Sequence, residues 1–330
     1  MNPAEPVRYS VVVPVYGNRD TLPALVDRFA SIQQQVDGEL EVVFVVDGSP
    51  DNSYDVLRDR LSDGRLRAQL ITHSRNFGSY AAIRTGLGAA RGDYIAIMAA
   101  DMQEPPELTL DFFRLLSTGE YDIGVGARTG RDDPVRSSMM SRAFWRGYRR
   151  FVMPDIPNGG VDIFACTHQV AAQLTRMHES HTSMVSQLFW LGYRRVEVPY
   201  QRLPRPSGRS GWSVRRKLKY MLDSIFAFTN LPITMLIIIG ALGLLASSIT
   251  AATVLGVWAA GGIDVPGYTA LMLVTLLMGS ALLTGLGVVG SYVWRTYENS
   301  KGRPFAVSRS HEIFASSGIG LGDDDVGPVR

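Results

Sequence analysis

The chain is poor in thiols. Its 330 residues hold a single cysteine, Cys166, so no intrachain disulfide can form, which fits a reducing compartment. Cys166 itself reads as a small buried apolar residue. Excess charge is also missing: 33 Lys and Arg stand against 31 Asp and Glu. A net +2 gives no global case for a nucleic-acid partner. The five histidines show no metal-ligand spacing and read as structural or surface residues. No secretory signal is expected, because Met1–Pro6 is polar and the apolar run Val7–Val15 is short and ends in a loop. Two further absences are local. No charged residue occurs from Ser224 to Ile263, and none from Val265 to Trp294.

What is present at the front is a set of short apolar runs alternating with helical patterns. Val11–Val15, Glu41–Val46, Gln69–Thr72 and Tyr94–Met98 read as buried strands. Leu22–Ile32, Tyr54–Leu61 and Ser79–Ala90 read as the helices between them. Continuous apolar strands joined by helices predict a mainly parallel α/β sheet covered on both faces. Ligands of such sheets bind at the carboxyl ends of the strands. Asp47, Asn76 and Asp101 punctuate those ends. Further on, Asp122–Gly126 and Val196–Tyr200 read as strands, the second as the last one. Arg128–Arg136 reads as a charged loop, Ser141–Val152 as a helix and Asn158–Asp162 as a turn.

The uncharged stretches predict membrane crossings, since about 20 apolar residues suffice. Spans are expected at 231–254 and 268–292, joined by a short link whose one charge is Asp264. Arg215, Arg216, Lys217 and Lys219 precede them, and Arg295, Lys301 and Arg303 follow. The positive-inside rule then puts both ends in the cytoplasm. Two buried helices of a large soluble core would be the bland reading. Leu218, Met221, Leu222 and Ile225 share one helical face among basic residues. That suits a helix lying in the headgroup layer, or an ordinary amphipathic core helix. The expected organisation is a domain over 1–212, an interface helix over 213–229, the two spans within 230–294, and a partly disordered cytoplasmic tail over 295–330. Gly279, Gly285, Gly287 and Gly290 would let helices pack closely within a chain or between chains, which leaves a homo-oligomer open.

The run Met98-Ala99-Ala100-Asp101-Met102-Gln103-Glu104-Pro105-Pro106-Glu107 follows the fourth strand. A carboxylate with an amide two positions on can hold a hard divalent cation against a diphosphate; a solvated acidic turn is the alternative. Together with Pro14-Val15-Tyr16, Asp47-Gly48-Ser49, Ser74-Arg75-Asn76-Phe77-Gly78 and Arg205–Trp212, this set resembles the family 2 glycosyltransferases of the GT-A, Rossmann-like fold. Within them it resembles the polyprenyl-phosphate transferases, which include dolichol-phosphate mannose synthases and undecaprenyl-phosphate sugar transferases. The resemblance runs from about Tyr9 to Arg309.

The resemblance implies that Pro14, Tyr16, Asp47, Ser49, Asn76, Gly78 and Asp101 bind a nucleotide sugar, and that Asp101 and Gln103 hold Mg2+ or Mn2+. Each mark has a structural alternative. Pro14–Tyr16 would equally end a strand, Asp51 reads as the cap of the following helix, and Ser79 would cap the helix after Gly78. Asp162, beside a glycine pair, falls where the family has an acidic residue near the reacting centre. It would orient the acceptor or act as a base, with Glu104 as a substitute. Arg128, Arg131, Arg205 and Arg209 are candidates for the acceptor phosphate, because guanidinium forks grip phosphate oxygens; each would equally serve as a headgroup or surface contact.

The chain departs from the family pattern at Ala99 and Val46, where aspartates are usual, at Phe164 in place of an arginine, and at Gly211 in place of a lysine. The leading expectation is a metal-dependent, inverting transfer of one sugar from a nucleotide sugar, UDP-glucose by default, to a polyprenyl phosphate at the inner (plasma) membrane. The site would face the cytoplasm. The alternatives are a catalytically weakened scaffold or sugar-lipid-binding protein, and a polysaccharide synthase. The last would carry a Gln-x-x-Arg-Trp element, whereas Gln187-Leu188-Phe189-Trp190 lacks the arginine.

Overall fold

The computed structural model describes residues 7–128, 156–157, 161, 163–179, 182–203, 231–260 and 267–316. They divide into two compact units. One comprises Met1–His178, Ser183–Trp212 and Pro304–Arg330; the other comprises Glu179–Thr182 and Ser213–Arg303.

The first unit is built on an eight-stranded sheet. Its strands are β1 (Val7–Val15), β2 (Glu39–Val46), β3 (Arg67–His73), β4 (Tyr94–Ile97), β5 (Ile123–Arg128), β6 (Phe164–Thr167), β7 (Arg195–Tyr200) and β8 (Ser308–Phe314). They lie in the order β7-β5-β6-β4-β1-β2-β3-β8. Only β6 and β8 run against the rest. The expected mainly parallel α/β sheet is therefore present. Its centre is apolar on both faces: Val11, Val12, Val13, Val42, Val43 and Phe44 are all fully buried, as strands covered on both sides require. The covering helices are α1 (Leu22–Gln33), α2 (Ser53–Leu61), α3 (Ser79–Ala89), α4 (Pro106–Ser117), α5 (His168–Arg176) and α6 (Met184–Trp190). Cys166 in β6 is buried, and burial pushes its thiol up to about 12, so it stays a neutral core residue.

Two sequence expectations change here. Val196–Tyr200 is not the last strand, and the tail expected over 295–330 is not all tail. Residues 308–314 return to the sheet as β8, antiparallel to β3, with Ala68 opposite Phe314 and Thr72 opposite Ser310. Side chains fasten the return. Tyr54 Oη donates to Glu312, Arg58 Nε donates to the same carboxylate at 3.1 Å, and His311 Nε2 meets Gln69 Oε1 at 2.8 Å. Ahead of β8, Phe305 sits edge-on to Tyr80 and beneath the Arg84 guanidinium, 4.4 Å from it. The helix expected over Ser141–Val152, the interface helix over 213–229 and the link around Asp264 lie outside the described residues.

The second unit contains two long helices, α7 (Leu231–Ala259) and α8 (Tyr268–Ser300). At 29 residues and 1.5 Å per residue, α7 is about 44 Å long, and its whole sequence is uncharged. Counting only the residues whose side chains are described, no helix is long and apolar enough to cross a membrane. The crossings expected over 231–254 and 268–292 are thus not found among the described residues. The helices approach each other where a Cβ on Gly285 would lie 3.7 Å from Leu236. Ile238, Leu242, Leu245, Leu282, Leu283 and Leu286 are all exposed.

Candidate active site

Four parallel strands, β1 to β4, end along one edge of the sheet, and their loops are tied together by backbone-to-side-chain bonds. The β1 loop begins at Tyr16, which is 51% exposed. Pro14 lies half-buried in β1 opposite Val45, beyond the last β1–β4 pair, Val12 with Ile97, where its missing N–H breaks no bond to β4. Gly17 N–H donates to Ser49 Oγ at 2.8 Å, and Arg19 N–H donates to Asp51 Oδ2 at 3.1 Å. Asp51 also accepts from Ser49 Oγ at 2.6 Å and Ser53 N–H at 3.1 Å. The N-cap of α2 is Asn52, with no side-chain cap bond; Asp51, expected as the cap, stands one residue ahead of it, meets Ser53 and joins the β1 and β2 loops. Burial pushes its carboxyl pKa up, but the bonds from Ser49, Ser53 and Arg19 outweigh burial and hold it below the ordinary aspartate range.

Asp47 is the hub of the next pair of loops and is 3% exposed. Its Oδ1 meets His73 Nδ1 at 2.7 Å and accepts Phe77 N–H at 2.9 Å, while Oδ2 accepts Gly78 N–H at 2.7 Å. His73 reaches on to Thr85 Oγ1 at 3.0 Å. Burial raises the Asp47 pKa, yet the bonds from His73, Phe77 and Gly78 and the nearby His73 charge bring it below the usual value. The resemblance implies that Asp47 binds the nucleotide sugar. The structure instead turns it inward, where it shapes the 73–78 loop on which Asn76 is exposed. The close fit demands glycine at position 48. Its φ is +57°, and a Cβ there would lie 2.3 Å from the Arg75 carbonyl carbon. Gly78, with φ +99°, is the N-cap of α3. Ser79 is the first helical residue, not the cap that its hydroxyl suggested. The negative end of Asp47 thus lies against the positive end of α3.

The fourth loop carries Asp101, which is half-buried. The next residue, Met102, has φ +57°, the one non-glycine positive φ among the described residues. An L side chain in that region costs roughly 1–2 kcal/mol, so neighbours must enforce it. Thr21 Oγ1 donates to Ala100 O at 2.7 Å, and Arg28 Nη1 donates to Glu104 O at 2.8 Å. Gln103 is 9% exposed, and both ends of its amide are engaged. Its Nε2 donates to Leu203 O at 3.3 Å, and its Oε1 accepts from Arg202 Nη2. The Leu203 N–H closes the ring on Gln103 O at 2.8 Å. Gln103, expected as a metal ligand, thus clamps the turn to Arg202 and Leu203, with a guanidinium on its side-chain oxygen.

Among the described residues no three His, Cys, Asp or Glu side chains are grouped to hold a metal ion. Ala99 and the buried Val46 supply no carboxylate beside Asp101 and Asp47. What remains is one carboxylate at a strand end, Asp101. That fits a Mg2+-type ion, which takes one or two carboxylates and completes its shell with water and phosphate oxygens. Arg128 is half-buried at the end of β5, opposite Tyr200 of β7. Phe164 is a buried core residue of β6. Asp162, Arg131, Arg205 and Arg209 lie outside the described residues. Arg202, His73 and the Met102 geometry were not legible in the sequence. Each depends on contacts distant in the chain, 99 residues apart for Arg202 and Gln103.

A family model described as glycosyl transferase family 2 matches residues 10–174. The uncharacterized glycosyltransferase YkcC of Bacillus subtilis is 30% identical over 93% of this chain and 95% of its own length. The undecaprenyl-phosphate 4-deoxy-4-formamido-L-arabinose transferase of Pectobacterium atrosepticum is 27% identical over 89% of this chain and 90% of its own. Among solved structures, a mannosyltransferase from Pyrobaculum calidifontis in complex with GDP-Man and Mn2+ is similar at 17% identity and a TM-score of 0.44, covering 90% of this chain and 88% of that one. Matched by the family model and aligned along nearly its whole length with relatives that are glycosyltransferases, the chain is an enzyme of glycosyl transferase family 2.

Proposed function

We propose that the protein moves a single sugar from a nucleotide sugar to a polyprenyl phosphate at the cytoplasmic face of a membrane. The observation that carries this is Asp101, presented on a clamped turn at a strand end in a chain joined to two long apolar helices. The name of the Pectobacterium relative, a transferase for undecaprenyl phosphate, supports the acceptor class. UDP-glucose is the default donor.

A phosphate oxygen of the lipid attacks the anomeric carbon, the bond from that carbon to the donor diphosphate breaks, and the nucleoside diphosphate leaves. The lipid monoester is largely a dianion at neutral pH, with a second pKa of about 6. Its product is a monoanionic diester and the displaced diphosphate takes the charge, so no proton need be removed. Displacement inverts the anomeric centre, giving a β-linked product from an α-linked donor. Asp101 would hold Mg2+ or Mn2+ against the diphosphate. When bound, the ion neutralises charge on the leaving group. Tyr16 and the Asn76 loop border the space for the nucleotide, and Asp47 fixes that loop. Asp162 would orient the acceptor, and Arg128, Arg131, Arg205 and Arg209 are its phosphate-binding candidates.

The membrane assignment is supported by α7 and α8 themselves. Near the end of α8, Lys301 Nζ lies 5.4 Å from the Trp294 ring and 4.3 Å from the Tyr297 ring. Such an aromatic and lysine cluster suits the headgroup level. The spans would form a hairpin with both ends in the cytoplasm.

The test is transfer of radiolabel from a panel of nucleotide sugars into undecaprenyl phosphate by purified full-length protein with Mg2+ or Mn2+ and an EDTA control. Metal-dependent label from one donor is expected and would name the sugar. A second reading, binding without turnover, is favoured by the engagement of Gln103 and the absence of a carboxylate at position 99. It predicts saturable donor binding with no label in lipid.

A further inference from the structure

We infer that Arg202 is a positioning residue that acts through Gln103 to set the Asp101 turn. This rests on the proposed role of Asp101 toward the donor diphosphate.

The turn after β4 is held at three places by three different parts of the chain. Thr21, at the start of α1, fixes Ala100. Arg28, within α1, fixes Glu104. Arg202 and Leu203, just past β7, fix Gln103 through three bonds that use its side-chain oxygen, its side-chain nitrogen and its backbone carbonyl. In the sheet, β7 and β4 are separated by β5 and β6, so this last clamp reaches across the edge of the sheet. Between the clamped points lies Met102 in its left-handed conformation. Without the clamp at Gln103 the bond that spans Met102, Gln103 N–H to Asp101 Oδ1, is a long one at 3.4 Å, and relaxation of φ at Met102 would re-aim the peptide that carries Asp101.

The charge matters as well as the bond. The Arg202 guanidinium sits on Gln103 Oε1, the atom that would otherwise offer a neutral oxygen to a cation. The positive guanidinium disfavours a cation at that oxygen, which leaves the carboxylate of Asp101 as the better ligand of the turn. Arg202 therefore does two things: it holds the geometry, and it directs a cation to Asp101.

The experiment uses full-length protein in detergent and four variants: Arg202→Met, Arg202→Lys, Gln103→Ala and the double Gln103→Ala/Arg202→Met. Midpoints of thermal unfolding form a double-mutant cycle. Dependence of one side chain on the other predicts that the double variant melts no lower than the worse single variant. Binding of Mn2+ in the presence of UDP, read by electron paramagnetic resonance, should weaken or stay level in Arg202→Met. In transfer assays kcat should fall about ten- to a hundredfold in Arg202→Met, as small misplacements of reacting groups do. The donor KM should stay within about twofold, and Arg202→Lys should recover most of the loss by restoring a charged donor to Gln103.

Additive melting losses would overturn the inference, and so would tighter Mn2+ binding in Arg202→Met, which would mark Gln103 as a ligand set free. A rise in donor KM at constant kcat would make Arg202 a direct binding residue and would also overturn it. If the wild-type protein transfers from no donor, the reading of transferase activity fails separately, and the melting cycle and Mn2+ binding still decide the role of Arg202.

Discussion

The two units of the chain solve opposite packing problems with similar residues. In the first, valine, leucine and phenylalanine of the central strands are turned inward and fully buried. In the second, many of the described leucines and isoleucines of α7 and α8 are exposed. Among the described residues, Tyr16, Trp190, Leu203, Val307 and Ile313 are the exposed large apolar residues of the first unit, whereas Ile238, Leu242, Leu245, Leu282, Leu283 and Leu286 are some of many in the second. Apolar contacts hold the first unit together; in the second the apolar surface is offered to whatever surrounds it. If that is lipid, a leucine there has the same environment before and after the helices meet.

Substitutions can break this contrast. The largest effect is expected inside the sheet. Phe44 is 0% exposed, and Phe44→Ala should cost about 3–5 kcal/mol, read as loss of the cooperative melt of the first unit. Asp101→Ala should leave that melt in place and reduce transfer by roughly a hundredfold or more, the several kcal/mol of charge neutralisation that a bound ion supplies. Full activity in that variant would remove Asp101 from the site. Asp47→Asn should destabilise by about 1–3 kcal/mol, because His73 and two backbone N–H groups lose their carboxylate. The sign with pH follows. Asp47 titrates lower in the folded protein than its ordinary 3.8. Its contribution is therefore fully present above that value and lost as pH falls through the folded pKa. Wild type should lose stability on acidification below about pH 4, and Asp47→Asn should lose less. Phe305→Ala removes a ring from between Tyr80 and Arg84 and should cost about 1–2 kcal/mol, read as faster proteolysis within 304–316. The smallest effect is expected at Leu242, 60% exposed. Leu242→Ala should shift the melt by less than about 1 kcal/mol, and a loss as large as that of Phe44→Ala would show that α7 is packed against protein.

Strands β1 to β4 were legible because a parallel strand covered on both faces is a continuous apolar run, and Val11–Val15 and Val42–Val46 are such runs. Strand β8 was not. Ser308-Arg309-Ser310-His311-Glu312-Ile313-Phe314 is mostly polar, as an edge strand is, and only its pairing with β3 gives it a place. At the site, Asp101 was legible from its position at a strand end. The clamp on Gln103 was not, because an amide beside an aspartate looks the same whether it faces an ion or an arginine that lies 99 residues away. Asp47 was found but misdirected: the sequence marks a polar residue at the end of β2, and only the fold shows that His73, Phe77 and Gly78 already surround it.

The return of β8 sets an order of events during synthesis. Every other strand precedes α7 in the chain, so the ribosome finishes both long helices before it makes the strand that covers β3. At roughly 5–20 residues per second, the outer edge of β3 waits some tens of seconds with its N–H and C=O groups open to any other strand. In the last part of that interval, from residue 231 on, the nascent protein carries its longest apolar segments and this open sheet edge together. The sheet can close over β3 only after both long helices have been made.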